Sequence, residues 1–216
     1  MIEKLYADFA WEQTASLLAI DSPTGFTGKA AAWVKEAFEN LGFAASITTK
    51  GGVLVDLGGE DTETGLLLAA HADTLGGMVA EVKGNGRLRI TALGGMNANN
   101  AEAENVRVYT RNGKVIEGTL QLCNASVHVN KDYSSTPRSF DTTEVVLDED
   151  VSSAADARNL GIEVGDVVCF ETRARRTESG YIKSRFLDDK LSVGILLGFA
   201  KYLADNKQNA DGENNG

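Results

Sequence analysis

Two histidines and two cysteines are all that 216 residues hold of the side chains best suited to transition metals and disulfides. Cys123 and Cys169 each lie in an apolar segment, as buried free thiols of a cytosolic protein do, and nothing in their setting supports a disulfide. Positive charge is also scarce. Lys and Arg number 21 against 31 Asp and Glu, a net charge of -10, which argues against nucleic acid or an anionic membrane as partner. No apolar run is long enough to span a bilayer, and the start of the chain lacks the basic, apolar and small-residue regions of a signal peptide, so a cytoplasmic location is expected. What remains is an ordinary composition, 43% hydrophobic and 24% charged, enough for one sizeable domain or two small ones.

The stretch that stands out is Leu66 to Asp73, LLLAAHAD. Five apolar residues in succession after Gly65 predict a strand buried on both faces, as in a sheet covered by helices. The run ends in His71 and Asp73, two positions apart and so on one side of an extended chain. Carboxyl ends of strands in open α/β sheets face the ligand crevice. A neutral imidazole there can bind a transition metal, and a neighbouring carboxylate can orient it. Taken alone, the pair is read more plainly as a strand-end histidine bonded to a nearby loop.

Before this stretch, Leu5, Phe9, Ala15 and Leu18 recur near a helical period over Ile2 to Ala19, and DSPTGFTG then marks a turn. Thr27 is placed to cap a second helix, Gly28 to Leu41, with Ala31, Val34, Phe38 and Leu41 inward and Gly42 ending it. Phe43 to Thr49 and Val53 to Leu57 are strand-like around Gly51-Gly52. After Asp73 the texture changes. Two hairpins are predicted, one around Gly84-Asn85-Gly86 and one around Asn112-Gly113, because those turns need residues that tolerate positive φ. Further strands are expected at Gly118 to Cys123 and Val167 to Thr172, with a short helix over Ser152 to Leu160 started by Ser153 and Asp156. Helical patterning resumes at Leu191 to Leu203, with Leu191, Ile195, Gly198, Phe199 and Tyr202 in register, and 206–216 reads as a mobile polar tail or exposed loop.

Asp188 and Asp189 precede that last helix. Helix-start acids favoured by the dipole are the plain reading. A carboxylate bridging two divalent metals is the functional one, since two oxygens can hold two ions close together. HADTLGGMV resembles the His-x-Asp segment, and FLDDKLSVG the Leu-Asp-Asp-Arg segment, of the glutamyl and tetrahedral aminopeptidase family of metallopeptidases. ENVRVYTRNGKVIEGTL and SSAADARNLGIEVGDVVCF resemble the β-rich domain which that family inserts between the two segments.

The resemblance implies an α/β fold: a mixed-sheet metallopeptidase domain interrupted by a small inserted β-rich, barrel-like domain. Its parts would be a first catalytic part over 1–74, an inserted assembly domain over 75–175, the catalytic domain resumed and truncated over 176–205, and the tail. It further implies release of N-terminal residues from peptides, homo-oligomers built through the inserted domain, and two zinc or cobalt ions per complete site, manganese also being suited to such ligands. By position, His71 and Asp188 would be metal ligands, Asp188 the bridge. Asp73 would hold the His71 imidazole, and Asp189 would support the loop. Thr74 stands where the family has an acid, and Lys190 where it has an arginine. The family's glutamate pair, further acidic ligand and last histidine have no counterpart in the sequence, and His128, in ASVHVNK, is expected as a surface or packed strand residue. One histidine and one or two carboxylates are an incomplete shell with no general base, so this chain alone is expected to hydrolyse nothing. Two other readings are a non-catalytic scaffold or assembly subunit, and a related two-metal exopeptidase or deacylase.

Overall fold

The computed structural model describes residues 2–59, 61 and 63–213. The chain divides into two compact units, one formed by Met1–Thr74 with Thr172–Gly216 and the other by Leu75–Glu171.

The first unit holds helices α1 (Ile2–Leu18) and α2 (Gly28–Glu39), an antiparallel pair β1 (Ala45–Ile47) and β2 (Val53–Val55), and, near its end, helix α4 (Leu187–Glu213). Its core joins Leu17 of α1, Ala30, Val34 and Phe38 of α2, Phe43, and Val193, Leu197 and Ala200 of α4. The α2 face follows the predicted spacing, and Gly42 ends that helix at a φ of 87°. Thr27 occupies the N-cap position but its side chain caps nothing, because its backbone is already in the helical region (φ -94°, ψ -2°) rather than the extended one a capping hydroxyl requires.

The buried face of α4 shares only Gly198 with the predicted one. Lys190, Val193, Gly194, Leu197 and Gly198 face inward, while Ile195, Phe199 and Tyr202 stay largely exposed. The reason is the close approach of α1. A Cβ added at Gly194 would overlap Thr14 Oγ1 and lie 2.7 Å from the Ala10 carbonyl oxygen, and one at Gly198 would lie 3.0 Å from Ala10 Cβ. Two glycines four positions apart let the backbones meet, and the large apolar side chains are turned to the other face. Helix α4 also continues to Glu213, so most of the stretch expected as a tail is helical, and 214–216 lies outside the described residues.

Leu66 to Ala70 is not a strand either. Leu66 is 86% and Leu67 78% exposed, and no residue from 66 to 73 takes part in a strand pairing. A strand needs a hydrogen-bonding neighbour, and among the described residues only the Pro23–Thr74 bridge touches this segment's end.

The second unit is a closed barrel in the order β3-β4-β7-β6-β5-β8. Its strands are β3 (Gly76–Val82), β4 (Leu88–Leu93), β5 (Asn105–Tyr109), β6 (Val115–Leu122), β7 (Thr143–Leu147) and β8 (Val167–Phe170). Both predicted hairpins form, β3 with β4 and β5 with β6, with Gly86 at φ 80° and Gly113 at φ 85°. The strand expected from Gly118 to Cys123 begins earlier, at Val115, and ends at Leu122, as β6. Strand β7 had no counterpart in the predicted elements; it carries Glu144, buried against Lys83 Nζ at 2.6 Å and Arg87 Nη1 at 2.5 Å. Those partners outweigh the cost of burial and hold the Glu144 carboxyl below the usual range. Helix α3 (Ala154–Asn159) starts at Ser153, which forms a capping box with Asp156 as its two residue types predict. Cys169 is buried as expected, whereas Cys123 is exposed, because it follows the last residue of β6 into a turn.

Candidate functional site

Two segments far apart in the chain converge in the first unit. His71 lies in the extended stretch after Ala70, and Asp188 in the approach to α4. That approach is set by a short antiparallel pair, β9 (Arg175–Arg176) with β10 (Ile182–Lys183). Backbone N–H of Arg185 and the Ser184 hydroxyl then both donate to the Thr172 carbonyl, at 2.8 and 2.9 Å. Phe186 follows at φ 63°, a left-handed conformation that costs free energy for an aromatic residue. Asp188 and Asp189 depart from helical geometry, at φ/ψ of -82/104° and -125/20°, so their carboxylates are aimed before the helix proper begins. The peptide bond between them is cis.

His71 Nε2 lies 3.1 Å from Asp188 Oδ1, across 117 positions of sequence. On the other side of the ring, Nδ1 lies 3.1 Å from Asp73 Oδ1 and 3.3 Å from the Asp73 carbonyl oxygen. The backbone N–H of His71 donates to Asp189 Oδ2 at 3.3 Å. All four residues named from the sequence are therefore within one neighbourhood. His128 is not among them; it sits on an exposed turn of the barrel unit rather than in a strand.

Acceptors flank the imidazole on both sides. Partial burial lowers its pKa, but the bond to Asp188, the Asp73 carbonyl and the charges of Asp73 and Asp189 outweigh that and hold it above the ordinary histidine value. A proton at Nδ1 would face Asp73 and would leave the Nε2 lone pair on the side of Asp188. Two ligand atoms each about 2.0–2.2 Å from a tetrahedral ion sit roughly 3.3–3.6 Å apart. The 3.1 Å between the imidazole nitrogen and the carboxylate oxygen is a hydrogen-bond distance a few tenths of an ångström short of that, so the two side chains would have to part slightly to occupy adjacent vertices of such a shell. Asp188 is 95% exposed on its side chain, so the pair is open to solvent. Among the described residues no group of three or more His, Cys, Asp or Glu is placed to hold an ion, so the donor set fits part of a coordination shell.

Three polar residues near the pair carry no role in the sequence reading. Thr24 Oγ1 donates to Asp73 Oδ2 at 2.7 Å, and Ser22 Oγ to the Ala72 carbonyl at 2.7 Å. Lys190, wholly buried, donates from Nζ to the carbonyls of Leu17 at 2.9 Å and Ile20 at 2.6 Å. The available signal was chemical: a lysine three residues before Val193 on an inward face must find acceptors, and hydroxyls flanking Pro23 sit where the proline itself cannot donate.

The profile of the M42 glutamyl aminopeptidases matches residues 51–213. YhfE of Bacillus subtilis (strain 168), a candidate aminopeptidase, is 41% identical over 186 residues, 86% of this chain and 54% of that protein. The glutamyl aminopeptidase of Lactococcus lactis subsp. cremoris (strain MG1363) is 26% identical over 200 residues, 90% of this chain and 55% of that protein. Among solved structures, the TET1 peptidase of Pyrococcus horikoshii, which assembles into a tetrahedron or a large octahedral shell, superposes with a TM-score of 0.75 at 22% identity, over 91% of this chain and 57% of that one. The chain thus spans about half the length of the curated relatives it matches.

Proposed function

The chain belongs to the M42 glutamyl aminopeptidase family, and we propose that it contributes His71 and Asp188 as ligands to the divalent-metal centre of an aminopeptidase that releases N-terminal residues from peptides. The observation that supports this is the 3.1 Å approach of His71 Nε2 to Asp188 Oδ1. Zinc or cobalt suits this nitrogen and oxygen pair, and manganese is a further candidate. Bound there, a divalent ion supplies Lewis acidity for peptide hydrolysis. The chain's own residues do the rest of what is assigned here. Asp73 keeps the proton on Nδ1 and leaves Nε2 as the donor atom, and the Asp189 carboxylate, accepting the His71 amide, ties the approach to α4 to the stretch that carries the imidazole. Two donors are too few for two cations, and neither Asp73 nor Asp189 is free to serve as general base, so the isolated chain binds metal weakly and does not turn over peptide.

We assign the barrel unit to contacts between copies of the chain, by analogy with the shell-forming relative, and the protein to the cytoplasm; no helix among the described residues is long and apolar enough to cross a membrane. The test is a Co(II) titration of the pure chain followed by visible absorption. Saturable binding that His71→Ala and Asp188→Asn each weaken at least tenfold is expected, with no hydrolysis of an aminoacyl anilide. Binding unaffected by either change would overturn the assignment.

A further inference from the structure

The two halves of the candidate centre meet the same short segment, the connection between α1 and α2. Ile20 offers its carbonyl to Lys190 Nζ, one residue after Asp189. Ser22 donates its hydroxyl to Ala72, and its own carbonyl accepts the Thr74 amide at 2.8 Å. Pro23 bridges Thr74, and the Thr24 amide donates to the Thr74 carbonyl at 3.2 Å while its hydroxyl holds Asp73. Four residues of this segment therefore grip the His71 stretch from one end and the Asp188 approach from the other.

We propose that Ile20–Thr24 is a spacer that sets the distance between His71 and Asp188, with Lys190 and Thr24 as its positioning residues. Lys190 suits the task because its ammonium is wholly buried and its acceptors include the Leu17 carbonyl in the last turn of α1, where the helix dipole favours a cation. A buried ammonium cannot leave its acceptors without a large desolvation cost, so the backbone carrying it is held within the reach of one lysine stem. Asp188 lies two residues before that anchor. Thr24 acts on the opposite side, fixing the Asp73 carboxylate that in turn fixes the ring. This inference rests on the assignment of His71 and Asp188 above, but the spacer is measurable without metal.

The experiment uses the whole metal-free chain and long-range proton–nitrogen correlation of its two histidines, the His71 signals being those lost in His71→Ala. Asp188→Asn gives the position of Nε2 when the contact is broken. Lys190→Met is expected to move the Nε2 signal most of the way to that position, Lys190→Arg to return it, and Thr24→Val to move Nδ1. In Co(II) binding, Lys190→Met is expected to lose about 10–100-fold in affinity, the range for partners that orient a ligand. A folded Lys190→Met chain with an unmoved Nε2 signal would overturn the proposal, as would an Asp188→Asn chain with no shift. If Lys190→Met does not fold, Thr24→Val decides, since its lost bond is solvent-exposed and an unmoved Nδ1 signal refutes the spacer. Absence of Co(II) binding beside the expected nitrogen shifts would sink the metal assignment and leave the spacer standing.

Discussion

Replacing Gly194 by alanine tests the helix pair on which the α4 approach depends. The new Cβ would overlap Thr14 Oγ1, and its distance to the Ala10 carbonyl oxygen would have to grow from 2.7 Å to the 3.4 Å of ordinary contact. Thr14 is itself bonded to that carbonyl at 2.8 Å, so neither group can yield alone and the helices must part. Overpacking of this kind costs about 1–3 kcal/mol, and a methyl against backbone belongs at the upper end. Against it, alanine gains about 1 kcal/mol in helix propensity over glycine. The net loss expected is about 2 kcal/mol. At Gly198 the nearest atoms are at 3.0 and 3.1 Å, a few tenths short of ordinary contact, so cost and propensity should nearly cancel at about 0 kcal/mol. Urea unfolding followed by tryptophan fluorescence isolates the effect, because both tryptophans, Trp11 and Trp33, lie in the first unit. With a slope of about 1–2 kcal/mol/M, Gly194→Ala should lower the midpoint by roughly 1–2 M and Gly198→Ala hardly at all. A Gly194→Ala chain as stable as the wild type, or a more damaging Gly198→Ala, would refute the packing argument.

Two further outcomes concern the barrel. Glu144 has a folded pKa below its unfolded value, so its stabilisation is fully present above about pH 4.3 and is lost as pH falls through the folded value. Glu144→Gln should therefore cost roughly 1–3 kcal/mol at neutral pH and flatten the acid limb of stability, read by hydrogen exchange of the barrel amides; a mutant with the wild-type acid limb would contradict this. Ser153→Ala removes the hydroxyl that accepts the Asp156 amide and should cost about 1 kcal/mol, seen as faster exchange in α3, with unchanged exchange counting against the cap.

The local features were those most readable from sequence. Asn-Gly and Gly-Asn-Gly turns supply a glycine for the one position of each hairpin that takes positive φ, Gly113 and Gly86, and Ser153 with Asp156 caps a helix by chemistry internal to four residues. What escaped depended on neighbours. Leu66, Leu67 and Leu68 have the composition of a buried strand, but burial is conferred by pairing partners, and none of the described residues supplies one. For α4, side-chain size pointed to Ile195 and Phe199, while the contact is made where side chains are missing, at Gly194 and Gly198. Strand β7 was hidden because it carries an acid that reads as solvent-facing until Lys83 and Arg87 are seen to cover it. At the site, His71, Asp73, Asp188 and Asp189 were legible as a motif. Lys190, Ser22 and Thr24 were not, since hydrogen bonds to distant carbonyls leave no periodic trace.

The first and last strands of the barrel, β3 and β8, are hydrogen-bonded neighbours, Gly77 opposite Val168 and Met78 opposite Val167. The polypeptide that leaves Thr74 is thus handed back beside its point of departure. For the loop-closure entropy of the surrounding segments, everything from Leu75 to Glu171 counts as little more than a tight turn once the barrel has closed. A cassette with its ends tied together can grow, shrink or be exchanged without lengthening the tether between His71 and Asp188.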